Sequence, residues 1–159
     1  HALAPDSVDI LVLEFGARRA GDMRELLSIV CPDVAVITPL SAGDGGDIDA
    51  LQTLQDEIGE LIATMQLRGL PVAICRDDPL LAAATTPHAF GVADYIDGEH
   101  RELTSGDERF RLGRELVGAT AVRALAASVM VARLLGVPES RVRAILAART
   151  ATEREVYQP

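Results

Sequence analysis

Five carboxylates and a pair of arginines are spaced along this chain in a way that could do chemistry. Glu14 ends the apolar run VDILVLEF (8–15), and Thr38 lies near the end of DVAVITPL (33–40). The acidic loop SAGDGGD (41–47) carries Asp44 and Asp47, and PVAICR (71–76) leads into Asp77 and Asp78. If each run is a strand of one parallel sheet, these groups lie beyond its carboxyl edge, where such sheets bind ligands. Carboxylates there suit Mg²⁺, a hard cation that takes oxygen ligands and keeps several waters. Glu14, Asp44 and Asp77 are therefore the candidate metal ligands. Arg18 and Arg19, between the glycines of FGARRAGDM, offer planar forks to an anionic cofactor or a partner carboxylate.

Each of these residues also has a plainer reading. Glu14 can bond loop N–H groups at a strand end. Arg18 and Arg19 can be a solvated pair of little energetic weight. Asp47 suits the N-cap of the helix that follows. Asp78-Pro79 has the form of an N-cap with proline at the first helical position. His88 and His100 have no evident partner for acid–base work. Ser41, Ser105 and Ser128 lack the context of a nucleophile elbow.

The elements that must position these groups follow from hydrophobic periodicity. VDILVLEF is nearly continuous and apolar, the pattern of a strand covered on both faces. GDMRELLSIV (21–30) puts Met23, Leu26, Leu27 and Val30 on one helical face, and Cys31-Pro32 stops it. IDALQTLQDEIGELIATMQLRG (48–69) is the clearest helix. Its stripe is Leu51, Leu54, Ile58, Leu61, Ile62 and Met65, with Asp56, Glu57 and Glu60 mostly off it and Gly69 as its stop. DVAVITPL and PVAICR read as strands, and LLAAA as a short helix. GVADYID, HRELTS and ERFRLGR read as short strands joined by turns. VRALAASVMVARLLGV (122–137) is apolar nearly all round, hence buried, and PESRVRAILAART (138–150) is a final amphipathic helix. The expected fold is α/β: a mostly parallel sheet flanked by helices, with short antiparallel strands and a C-terminal helical pair. Residues 1–150 form one domain and 151–159 a tail or linker.

Composition narrows the function classes. The net charge of −9 disfavours non-specific nucleic-acid binding. No apolar run reaches the roughly 18 residues of a membrane span. HALAPDSVD lacks the layout of a secretory signal, and Cys31 and Cys75 fit buried thiols in a reducing compartment. The chain thus reads as cytoplasmic, with no nucleic-acid or membrane partner. His1 is an odd start, as in a tag remnant or an excised fragment. All fifteen basic residues are arginine, and lysine and asparagine are absent. The chain can supply neither a phosphate-loop lysine nor a Schiff-base lysine.

VLEFGARRAGDM followed by CPDVAVITPL resembles the central ATPase domain of the Mur ligases. The likeness is nearest to the members that add D-alanyl-D-alanine to the UDP-muramyl tripeptide. Those show a strand ending in Glu, then Gly-Ala, then Gly-Glu opening a helix, and next a Pro-Asp strand with Val-Ile-Thr. GATAVRALAASVMVARLLGV (118–137) is similar to the family's Gly-Arg-His-Asn helix with its alanine-rich body. QDEIGELIATMQLRGLPVAICRDDP is similar to the helix–strand–Asp-Asp unit between them. The resemblance covers nearly the whole chain, in order. It implies a P-loop-related three-layer sandwich and ATP-dependent amide-bond formation through an acyl phosphate on a peptidoglycan precursor. It places Glu14 at the magnesium-associated position and Thr120 at a nucleotide-contacting one.

The same resemblance implies losses. Arg18 and Arg19 stand where the nearest relatives have Asn and His. Pro39 and SAGDGGD replace an Asn and a later His. Gln52 and Gln55 occupy the region that carries a functional lysine. Thr120 and Ala121 replace a His-Asn pair, and Ala124 a further Asn. The Gly-Lys-Thr phosphate loop expected before the Val8 strand is not in this chain, nor are the UDP-binding and C-terminal domains. GDGGD has glycines, but its charge repels phosphate. The expectation is a degenerate, non-catalytic binding or scaffolding module, with Mg²⁺ possible at Glu14 and no ATP for this chain alone. The alternatives are a fragment of an active ligase whose P-loop lies outside the chain, and an assembly module that forms a homo-oligomer or needs a protein partner.

Overall fold

In a computed structural model the chain is described over residues 9–40, 48–81, 83–96, 100–105, 107–112 and 119–146. The first helix, α1 (Asp22–Ile29), begins where its sequence allows a start: Gly21 takes φ 94°, and Asp22 and Glu25 lie in the first turn. Acidic groups there complement the positive end of the helix dipole. Met23 is buried, Leu27 packs against the core, and the backbone turns extended at Val30, before Cys31-Pro32.

A short strand β1 (Ala35–Ile37) leads to α2 (Ile48–Leu67) and then β2 (Val72–Cys75). Helix α2 ends as its glycine predicts. Gly69 has φ 67°, its N–H donates to the Gln66 carbonyl, and the Leu70 N–H reaches back to the Met65 carbonyl. This Schellman arrangement satisfies carbonyls that the helix end would otherwise leave open. The apolar stripe faces inward, with Leu61 and Met65 buried and Ile58 and Ile62 packed on the core.

After a 3₁₀ turn (Pro79–Leu81) come β3 (His88–Ile96), β4 (His100–Ser105) and β5 (Glu108–Leu112). The five strands form one sheet in the order β1-β2-β3-β4-β5. β1, β2 and the start of β3 are parallel, with Val36 opposite Ala73 and Ile74 opposite Ala89. β3 then pairs antiparallel with β4, through a register shift between Val92 and Asp94, and β4 pairs antiparallel with β5.

The last described elements are α3 (Ala119–Leu134) and a helical segment α4 (139–146). Gly136, at φ 74°, ends α3 with the same bond pattern as Gly69. Helix α3 packs on β2, β3 and β4, and α2 packs on α1 and β2. All four residues of β2 are buried, so this strand is covered on both faces. Met65, Ala73, Cys75, Phe90 and Ala126 are fully buried at the centre. Burying one side chain the size of Phe90 contributes about 1.5–3 kcal/mol.

The α/β class, the flanking helices and the C-terminal helical pair agree with the sequence. Three details do not. Residues 9–15 form no strand. Ile10, Leu11, Val12 and Leu13 are 59, 58, 88 and 46% exposed, and only Phe15 and Ala17 of the following stretch pack on the core. A strand needs a neighbour to take its backbone bonds, and none of the described strands flanks this run. The third parallel strand is β3, which begins at His88, earlier than its apolar pattern indicates. LLAAA contributes to a single 3₁₀ turn and not to an α-helix. Asp44, Asp47 and the tail 151–159 lie outside the described residues. No helix among the described residues is long and apolar enough to cross a membrane.

Candidate functional site

The parallel strands β1 and β2 end at Ile37 and Cys75, and the residues beyond them form the carboxyl edge. Asp77 is the hub of that edge. Its Oδ2 accepts the Val92 N–H at 2.8 Å and the Arg123 Nε–H at 3.3 Å. The Arg76 N–H, one residue earlier, donates to the Phe90 carbonyl at 2.8 Å. The Asp77 side chain therefore continues the β2–β3 ladder after the β2 backbone has left it. The ion pair is half-sheltered, with side chains 32% exposed for Arg123 and 18% for Asp77. Gly91 makes the approach possible: a Cβ built there would collide with Asp77 Oδ1 and lie 2.9 Å from Arg76 Cγ.

Asp78 is buried and turns the other way. Its Oδ2 accepts the Leu40 N–H at 2.5 Å and its Oδ1 the Leu80 N–H at 2.9 Å. The second bond is the cap that the Asp-Pro pair predicts. The first ties the segment after β1 to the segment after β2. Both bonds are to an ionised acceptor, the stronger kind of hydrogen bond.

A third carboxylate organises the corner that precedes α1. Glu57, on α2 and 5% exposed, accepts the Gly21 N–H at 2.8 Å and the Met23 N–H at 2.7 Å. It fills the open N-terminal donors of α1 from a neighbouring helix. Asp22 caps the turn just before: one oxygen accepts the Arg18 N–H at 2.8 Å and the Arg19 N–H at 2.9 Å. Those two backbone bonds, and then the charges of Arg19 and Arg18, hold the Asp22 carboxyl below its ordinary value. The Cys75 thiol is pushed up by burial, which suits a small core residue rather than a reactive one.

The residues singled out by sequence are thus distributed as follows. Glu14 is exposed, with no hydrogen bond or ion pair to another described residue. Asp77 is engaged by Arg123 and Val92. Arg18 and Arg19 are exposed and enter the local structure through their backbone N–H groups. Thr120 is exposed on the first turn of α3, one turn ahead of Arg123. Among the described residues, no three His, Cys, Asp or Glu side chains are grouped to hold a metal.

Two residues that organise the site, Glu57 and Arg123, were not anticipated. Both leave a signal in the sequence. Glu57 was expected mostly off the α2 stripe but is buried; it is three residues after Leu54 and four before Leu61, a helical spacing that brings it beside the apolar face. Arg123 is the one charged residue of ATAVRALAASVMVA (119–132). Beside the edge, an open cleft of about 370 Å³ lies between α2 and the segment after β2, lined by Leu40, Ile58, Ile62, Gln66, Leu81 and Thr85. Gln66 Nε2 spans it to the Thr85 carbonyl at 3.0 Å. Compared with known proteins, the chain matches no protein-family model, and no curated protein matches it significantly.

Proposed function

We propose that this chain is a non-catalytic binding or scaffolding module, a degenerate relative of the Mur-ligase central domain. The observation that carries the reading is how the carboxylates are used. Asp77, Asp78 and Glu57 each accept backbone N–H groups that join separate elements. Recruiting one of them to a metal would leave those donors unpaired, at about 1–3 kcal/mol for each buried group. The lysine that an ATP-dependent ligase places on the phosphates has no counterpart in the chain. On this reading Glu14 is retained for position rather than for Mg²⁺, and ATP is not a ligand of this chain alone. Calorimetric titration with ATP–Mg²⁺ tests it. No saturable heat is expected up to millimolar nucleotide, and a micromolar Kd would overturn the reading.

The exposed run Ile10–Leu13 favours an accompanying role in assembly. Four adjacent large apolar residues in contact with water form the kind of patch that marks interfaces. A homo-oligomer or a protein partner would cover them. Light scattering tests self-association: a monomeric mass at every concentration removes the homo-oligomer.

A further inference from the structure

We draw no further inference here: the strongest candidate, the exposed apolar segment 10–13 ahead of the first helix, already carries the assembly reading, and nothing in the structure shows what covers it.

Discussion

Asp77 bonds Arg123 across 46 residues of sequence and, through the same oxygen, the backbone of Val92. One side chain so joins the end of β2 to β3 and to α3. Replacing it removes the acceptor for a ladder N–H and for a guanidinium together. Asp77→Ala is expected to lower unfolding free energy by about 1–3 kcal/mol. Arg123→Ala removes only the half-exposed partner and should cost less than about 1 kcal/mol beyond its packing. Urea denaturation of both single variants and the double variant measures the coupling. Strictly additive losses would mean that the pair does not act as a unit.

Gly91 is predicted to be intolerant of any side chain. Gly91→Ala forces either Asp77 or the Arg76 stem to move, and crowding of this kind costs about 1–3 kcal/mol. In an Asp77→Ala background, much of the collision is gone. The same glycine substitution should then cost visibly less. An equal cost in both backgrounds would point to the β3 backbone as the cause.

Glu57 is expected to control whether α1 stays docked. Glu57→Ala leaves the Gly21 and Met23 N–H groups without their acceptor, with a loss of about 1.5–3 kcal/mol for bonds to a charged group. Amide exchange should accelerate at residues 21–25 more than in α3. Uniform acceleration over the whole chain would show that Glu57 supports the fold at large and not this corner.

The Asp22 carboxyl lies below its ordinary value of 3.8 because the Arg18 and Arg19 N–H groups bind its ionised form. A carboxyl depressed in the folded state stabilises the protein above its unfolded pKa. That contribution is lost as pH falls through the folded pKa. Asp22→Asn should therefore be less stable than the parent at neutral pH, and the gap should close as the acid limb is descended. Thermal unfolding of the two proteins from neutral pH to below pH 4 provides the check. A gap independent of pH would remove the charge from the explanation.

Val12, at 88% exposure, is the most open residue of the apolar run. Val12→Asp is expected to leave monomer stability within about 0.5 kcal/mol, as for surface substitutions away from packed features. If the run mediates self-association, the same change lowers the mass seen by light scattering at high concentration. An oligomer unaffected by Val12→Asp and Leu11→Asp would place the interface elsewhere.

Much of the secondary structure was legible because its signals are local. The stripe of α2, the glycine stop at Gly69 and the Asp78 cap act within a few residues of one another. Periodicity and turn chemistry record such relations directly. The three hairpin-forming strands after His88 were readable for the same reason. The candidate site was readable only as a location. Sequence marked the carboxyl edge and named Asp77 as a candidate metal ligand, and the structure adds its bonds to Arg123 and Val92.

By itself, then, the sequence determined the α/β class, the main helices, the end of α2 at Gly69, and the absence of lysine chemistry; α3 lies three residues earlier than its apolar pattern indicates. Only the tertiary structure decided that Glu57 turns inward onto α1, that Asp77 serves β3 and α3, and that Ile10–Leu13 has no described strand beside it. The physical reason is common to all three. A carboxylate or a strand acquires its role from the group opposite it, and here that group lies tens of residues away or is not supplied by any described strand. Local pattern specifies what a segment can form, and the partner across the fold decides which capacity is used.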